Sequence, residues 1–269
     1  MNALQAVILG AVQGLTEFLP VSSSGHLVLF QRLFGLREGV LVFDIAVHLA
    51  TLLAVIALFW RDVLGMIKKP FDKFTLLIVI GTVPAVVIGL LFKESIERLF
   101  ESGRTLGLEF IATGLVLWFA ESIRTKNKKL DETTDMDALW IGIAQAVAIL
   151  PAVSRSGLTI AGALFRGLDR RFAAKFSFLL SIPAILGAAV LDIPDALDTF
   201  RTSGNLGVPT LPLVIGMVIA FLSGWIAIRW MLRVLSRGSL RGFAVYVLIL
   251  GVLILLEQIV RGRLFGTLW

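Results

Sequence analysis

Two short segments of this sequence combine proline, serine and glycine with a charged or titratable side chain at close spacing. Residues 20–26 read PVSSSGH, and residues 151–159 read PAVSRSGLT. Small hydroxyl residues and a glycine after a proline are typical of a turn that starts a helix. Backbone N–H groups are free there and the helix dipole is positive, so helix starts bind anions. Each segment therefore predicts a phosphate site.

Together the two segments suit a ligand with two phosphates. Arg155 adds a planar, permanently charged guanidinium whose donors match phosphate oxygens. The other predicted substrate contacts are hydroxyl, amide and glycine residues of the two segments and of the stretch before the first: Gln13, Ser22, Ser24, Gly25, Ser154, Ser156, Gly157 and Thr159.

Hydrolysis of such a ligand requires a nucleophile and a general acid or base. His26 follows Ser23 by three residues, so its imidazole could reach the serine hydroxyl or a bound water on a first helical turn. Glu17 could orient His26, act as the base, or hold a divalent cation against the phosphate charge. The sequence leaves open whether Ser23, His26 or a metal-bound water attacks phosphorus.

Composition places these residues in a membrane. The chain is 57% hydrophobic and 16% charged, with a mean hydropathy of +0.91, which leaves too little polar surface for a soluble globule. The net charge of +6 comes from basic residues between apolar segments, so it indicates membrane topology and not nucleic-acid binding. The lack of cysteine excludes thiolate catalysis and Cys-ligated metals.

Two charges of opposite sign fall deep in apolar sequence. They are Glu17 and Arg155, and a charge at such depth is costly unless it is paired or functional. Four other carboxylates lie near the ends of apolar segments: Asp44, Glu109, Glu121 and Glu257. Glu17 and Arg155 are therefore the first candidates for chemistry, and a purely structural ion pair between them is the alternative.

Six apolar segments are long enough to span a bilayer, at residues 43–60, 74–92, 106–122, 172–191, 209–229 and 242–260. An internal repeat at an offset of 132 residues matches Gly10 with Gly142 and Ser22 with Ser154, among other pairs. Three spans separate the two copies, so the copies are inverted. We predict an all-α polytopic membrane protein with six transmembrane helices plus two re-entrant helical hairpins. Ten full spans are the rival topology.

The whole chain is expected to form a single membrane domain, residues 1–269, with inverted repeats at about 3–122 and 139–260. Non-helical backbone within a membrane is tolerated only where protein encloses it or where it lines a wet cavity. We therefore expect the two hairpin tips to touch, with Arg155 within reach of Ser23 and His26.

The motifs resemble those of a known family, the bacterial undecaprenyl pyrophosphate phosphatases, also called bacitracin resistance proteins. Gln13 and Glu17 fit its motif of an acidic residue or Gln, then any three residues, then Glu. Residues 20–26 fit its Pro-Val-Ser-Ser-x-Gly-His segment. Residues 154–159 fit its Ser-Arg-Ser-Gly-x-Thr segment. The resemblance covers essentially the whole chain.

This resemblance implies removal of the terminal phosphate from undecaprenyl pyrophosphate, which regenerates the lipid carrier for cell-wall synthesis. It implies a bacterial plasma (inner) membrane protein whose site opens to the outer face. The implied catalytic set is Glu17, Ser23, His26 and Arg155, with a divalent cation, Mg²⁺ or Ca²⁺, at Glu17. The implied partners are the polyprenyl pyrophosphate lipid and the bilayer, with a second copy of the chain as a candidate. Gln13 stands where some members have a second glutamate, which argues against a two-carboxylate metal site.

A carrier or flippase for a phosphorylated lipid or small anion is the competing function, because transporters also join broken helices of inverted repeats. The pairing of Ser23 with His26 beside Glu17 favours the enzyme, since a carrier needs no general base. His48, the other histidine, is predicted to be a hydrogen-bonded residue inside a span, outside the site.

Overall fold

The structure is a computed structural model that describes residues 1–36, 40–123, 127–203, 207–260, 262 and 265. In these ranges the chain is all-helical. The helices are α1 (Ala3–Phe18), α2 (Ser23–Leu33), α3 (Val40–Leu58), α4 (Trp60–Lys68), α5 (Lys73–Leu91), α6 (Lys93–Ser102), α7 (Leu106–Glu121), α8 (Asp135–Val147), α9 (Arg155–Phe165), α10 (Arg170–Ser203), α11 (Thr210–Arg237) and α12 (Arg241–Val260), with a short 3-10 helix at Leu130–Glu132.

Five of the described helices are long and apolar enough to cross a membrane, by length and composition: α3, α5, α10, α11 and α12. They coincide with five of the six predicted spans. The sixth predicted span forms α7, which has 16 residues. At 1.5 Å per residue, a helix of that length is shorter than the roughly 30 Å hydrocarbon core of a bilayer.

The two sequence segments lie at breaks between short helices that pack against each other. The first break, between Phe18 and Ser23, separates α1 from α2, and the second, between Val147 and Arg155, separates α8 from α9. The predicted helix, break, helix arrangement is therefore present at both places. We call the chain at the first break the first turn (residues 19–22) and that at the second break the second turn (residues 148–154).

Close approach at glycines holds these short helices against the long ones. On α1, a Cβ at Gly10 would meet the backbone of Gly216 in α11, and on α8, a Cβ at Gly142 would meet Gly81 in α5. Helices in lipid associate mainly through such close packing, because lipid tails are as apolar as the side chains. Each short helix is thus held by one long apolar helix.

Asp137, in the first turn of α8, binds residues at the end of α9 and before α8. Its buried carboxylate accepts hydrogen bonds from Thr134 N at 3.0 Å and Arg166 Nε at 2.7 Å, and it pairs with Lys128 Nζ at 3.2 Å. Burial alone would raise the pKa of Asp137, but these donors outweigh it and lower the pKa to about 2. The start of α8 is thereby joined to Arg166 at the end of α9.

We expect Asp137→Asn to lower the thermal unfolding midpoint of the detergent-solubilised protein, because Lys128 and Arg166 lose their shared anion. A carboxyl with a lowered folded-state pKa stabilises the fold above its unfolded pKa, on the order of 2 kcal/mol here. That stability is lost as pH falls from about 4 towards 2, so wild type and variant should converge over this interval. Asp135→Asn, at an exposed position of the same helical turn, is the matched control. Equal midpoints at neutral pH would contradict the argument.

Candidate active site

The two turns are joined by reciprocal hydrogen bonds. Ser24 Oγ donates to the Pro151 carbonyl, and Ser156 Oγ donates to the Leu19 carbonyl at 2.9 Å. At the repeat offset of 132, Leu19 corresponds to Pro151 and Ser24 to Ser156. Ser22 Oγ adds a third bond, to Pro151 O at 3.2 Å. The expectation that the two tips touch is confirmed.

Serine side chains cap both helix starts. Ser22 Oγ accepts from Gly25 N at 3.3 Å, and Ser154 Oγ accepts from Gly157 N at 3.0 Å. Ser22 has a φ of +70°, in the left-handed region that non-glycine residues rarely adopt. Strain of this kind persists where surrounding contacts hold the backbone, and it is concentrated at functional sites.

The buried carboxylate of Glu17 is the centre of the polar contacts at this junction. Its Oε1 pairs with Arg155 Nη2, across 138 residues of sequence. Its Oε2 accepts from Ser23 Oγ at 2.5 Å and from Gln13 Nε2 at 2.9 Å. The structure thus brings Glu17, Ser23 and Arg155 into one cluster, with Gln13 on the same face of α1 as predicted.

His26 follows Ser23 on the first turn of α2, and both of its ring nitrogens bond to residues other than Ser23. Its Nδ1 is 2.6 Å from the carbonyl of Ser22, four residues earlier, and its Nε2 is 2.7 Å from the hydroxyl of Tyr246. One ring nitrogen is therefore bonded to the backbone of the same chain segment, and the other is bonded to a residue of α12. The expected Ser23 and His26 pair is replaced by a Ser23 and Glu17 pair, so Glu17 is the base nearest the serine.

His48 belongs to the site, contrary to the prediction from sequence. Its Nε2 lies 3.6 Å from Glu17 Oε2, while its Nδ1 is 2.7 Å from the Asp44 carbonyl. The hydrogen bond inside the span was expected, and the approach to Glu17 was not. That approach depends on how α3 packs against α1, which residue spacing along α3 does not determine.

Sequence reasoning also missed the residues that hold the second turn. Glu109 and Thr113 are four residues apart on one face of α7 and both are buried. Glu109 Oε2 accepts from Ala152 N at 2.9 Å, and Thr113 Oγ1 accepts from Ser154 N at 3.1 Å. Glu109 therefore has a structural partner although it lies near a helix end. The sequence signal that could have identified Glu109 was a second polar residue, Thr113, four positions later in an apolar helix.

Several predicted substrate contacts already have partners within the protein. Thr159 Oγ1 donates to Arg155 O at 2.7 Å and lies 2.6 Å from Ser177 Oγ, and Ser24 and Ser156 bridge the turns. Their role in substrate binding stays a prediction. Their contacts favour a role in positioning the backbone N–H groups of the two helix starts.

The residues around Glu17 fit a hard divalent cation. Gln13 is fully buried and its Oε1 has no hydrogen-bond partner among the described residues. An amide oxygen and a carboxylate are ligands that Mg²⁺ and Ca²⁺ bind. The described ranges contain no group of three His, Asp or Glu that could hold a metal. The phosphate oxygens of a substrate would supply the remaining ligands, as is usual for Mg²⁺.

Comparison with known proteins identifies a family and several relatives. A family model described as Bacitracin resistance protein BacA matches residues 6–253. The chain is similar to an undecaprenyl-diphosphatase of Carboxydothermus hydrogenoformans, with 57% identity over 258 residues, covering 96% of this chain and 98% of that protein. It is 49% identical to undecaprenyl-diphosphatase 3 of Bacillus cereus strain ATCC 10987, covering 97% and 99% of the two chains.

Gly25→Ala should disrupt the junction between the turns. A Cβ at this position would lie 2.6 Å from Phe110 Cζ and 3.0 Å from Ala152 Cβ, so the buried Phe110 ring, the start of α2 or the second turn must shift. We expect a loss of catalytic turnover of at least about tenfold, because a misplacement of about 1 Å lowers rates strongly. Phosphate release measures it, with Gly65→Ala, where a Cβ meets no atom within 4 Å, as the control. Full activity of Gly25→Ala would contradict the tight junction.

Proposed function

The chain belongs to the bacitracin resistance protein BacA family, and we propose that it is a membrane phosphatase that hydrolyses undecaprenyl diphosphate to undecaprenyl phosphate and inorganic phosphate. This activity would return the lipid carrier to cell-wall synthesis. The observation that carries the proposal is the contact of Ser23 Oγ with Glu17 Oε2 beside Arg155, at the junction of two helix starts.

A serine hydroxyl that donates to a buried carboxylate is an activated nucleophile. We infer that Ser23 Oγ attacks the terminal phosphorus while Glu17 takes its proton. A bond then forms between Ser23 Oγ and phosphorus, the bond to the bridging oxygen breaks, and Glu17 passes the serine proton to that oxygen as the lipid monophosphate leaves. Water subsequently attacks the serine phosphate and gives its proton to Glu17, which returns the serine hydroxyl and releases phosphate.

Arg155 would bind the diphosphate through the same guanidinium that pairs with Glu17 in the absence of substrate. A guanidinium has five donors in a planar fork, so it can contact a phosphate without leaving the carboxylate entirely. The starts of α2 and α9 would add backbone N–H groups to the same anion. Transition states of phosphoryl transfer carry charge on equatorial oxygens, which such fixed donors stabilise.

A divalent cation would be held by Glu17, with Gln13 Oε1 as a second protein ligand and substrate oxygens completing the set. When bound, it would neutralise phosphate charge and favour the departure of the lipid phosphate. The protein groups around it keep their own roles: Gln13 orients Glu17, and Ser23 faces the carboxylate oxygen that accepts its proton.

For the architecture, we propose six spans and two re-entrant hairpins related as inverted repeats. Equivalent contacts support this: α1 packs on α11 as α8 packs on α5, and α3 packs on α11 as α10 packs on α5. The turns after α2 and α9 both end on a left-handed glycine, Gly35 and Gly167. The chain is a multi-pass membrane protein, and we propose that it lies in a bacterial inner membrane with the site open to the outer face.

Phosphate release from undecaprenyl diphosphate by the purified protein in detergent with Mg²⁺ tests the proposed function. We expect Ser23→Ala and Glu17→Gln each to lower the rate by about 100-fold or more, as expected for loss of a nucleophile or general base. Ser236→Ala, which removes an exposed hydroxyl at the end of α11, is the matched control. An inactive wild type that binds the lipid would favour the carrier.

Acid quenching during turnover of substrate with a labelled terminal phosphate would trap the intermediate. Label on a peptide that contains Ser23 is expected, and its absence from Ser23→Ala should accompany the loss of turnover. Rapid turnover of Ser23→Ala, with no labelled protein at any time, would instead assign the attack to water activated by Glu17.

Arg155→Lys keeps a positive charge and removes the planar fork. We expect KM for undecaprenyl diphosphate to rise by about tenfold, because an ammonium cannot span Glu17 and a phosphate in the same geometry. Steady-state kinetics at several substrate concentrations measure it. Wild-type kinetics in this variant would mean that Arg155 acts only as a point charge.

A further inference from the structure

The ring of His26 is held on three sides, although none of its contacts is to the nucleophile. Nδ1 lies 2.6 Å from Ser22 O, and Nε2 lies 2.7 Å from the hydroxyl of Tyr246. The edge of Phe110 meets the ring at 89°, with a centroid separation of 5.3 Å. Tyr246 also stacks on the imidazole, at 5.7 Å and 18°.

These contacts define which atom of the ring is basic. A backbone carbonyl can only accept, so Nδ1 of His26 must carry the proton that it shares with Ser22 O. In the neutral ring, Nε2 then presents a lone pair, and the phenol of Tyr246 donates to it. The neutral ring is the form in which the phenol of Tyr246 donates, because a protonated Nε2 has no lone pair to accept.

Tyr246 reaches the site from α12, a helix that sequence analysis connected with no function. α12 packs closely on α7 because glycines at the contact have no side chain. A Cβ at Gly107 would lie 3.0 Å from Gly251 O, and one at Gly114 would lie 2.5 Å from Leu248 Cγ. α7 in turn carries Phe110 and the residues that bond to the second turn. The position of the phenol is therefore tied to the same helix that fixes the second turn.

We propose that Tyr246 is a positioning residue of the active site, which holds His26 in the Nδ1–H tautomer and keeps Nε2 as a hydrogen-bonded basic atom beside the start of α2. The inference rests on the proposed hydrolysis. Tyr246 acts through His26, because the described contacts join its hydroxyl to the imidazole. Without the phenol, the neutral ring keeps its bond to Ser22 O and loses the donor that orients Nε2.

The chain offers a clean test, because Tyr246 is its single tyrosine and His26 is one of two histidines. Growth on 3-fluorotyrosine changes this side chain alone and makes the phenol a more acidic, stronger donor. Tyr246→Phe removes only the hydroxyl. Thr82→Val, which removes a hydroxyl that bonds to Ile78 O within α5, is the matched control.

We expect Tyr246→Phe to lower kcat by about tenfold, as for the loss of one hydrogen bond in the transition state, with KM changed by less than about twofold. The acidic limb of the pH–rate profile should move to higher pH, because the neutral ring has lost a bond that only its lone pair can accept. Fluorotyrosine at residue 246 should move that limb in the opposite direction. Thr82→Val should show neither effect.

A second readout is independent of turnover. In ¹⁵N-histidine protein carrying His48→Gln, which leaves His26 as the single histidine, adding Tyr246→Phe should shift the Nε2 resonance of His26. An unchanged resonance would overturn the proposed contact even if the enzyme is active. A shifted resonance with an unchanged pH profile and kcat would overturn the positioning role. If the wild type fails to hydrolyse the lipid but the resonance shifts, the proposed function fails and the contact stands.

Discussion

The ion pair between Glu17 and Arg155 is the constraint on which the rest of the site depends. It joins the last turn of α1 to the first residue of α9, 138 residues later in the sequence, and both side chains are largely buried. Breaking such a pair by removing one partner leaves an uncompensated buried charge, which is strongly destabilising. A diphosphate would share the Arg155 guanidinium with Glu17, and the bond between the two side chains would weaken. Under the proposed mechanism, the pair would link substrate binding to the carboxylate that accepts the Ser23 proton.

Residues that an offset of 132 aligns are alike where they join the two turns and different where they carry charge or a titratable group. The serines that bridge the turns are the same in both segments, as are the serines that cap the helices. The chemical residues differ: at the offset of 132, Glu17 corresponds to Ile149, Ser23 to Arg155 and His26 to Leu158. The matching serines thus build the junction of the two helix starts, and the residues that differ are the proposed base, the proposed nucleophile and the arginine.

Two features of this arrangement could be predicted from sequence. The helix breaks depend on neighbouring residues, and the pairing of Glu17 with Arg155 follows from charges inside apolar segments. Proline and serine spacing indicated both helix breaks, and the cost of a lone charge in lipid indicated that Glu17 and Arg155 need partners. Contacts between helices that are distant in sequence were not predictable. His48 and Tyr246 reach the site through the packing of α3 and α12, which hydrophobic periodicity does not specify. The hydrogen bond expected between His26 and Ser23 is not among the described contacts, because Ser22 O bonds to one ring nitrogen and the Tyr246 hydroxyl to the other.

The hydrogen bonds of the serine hydroxyls at the two helix starts reduce the number of candidate nucleophiles. Ser24 and Ser156 are committed to carbonyls of the opposite turn, and Ser22 and Ser154 cap their own helices. Among the serines at the two helix starts, Ser23 has a hydroxyl that donates to a carboxylate. A phosphate bound at the junction would therefore meet backbone N–H groups, one guanidinium and one activated hydroxyl. That combination is suited to in-line transfer of a phosphoryl group, whereas a carrier would require the anion to leave without any bond being formed.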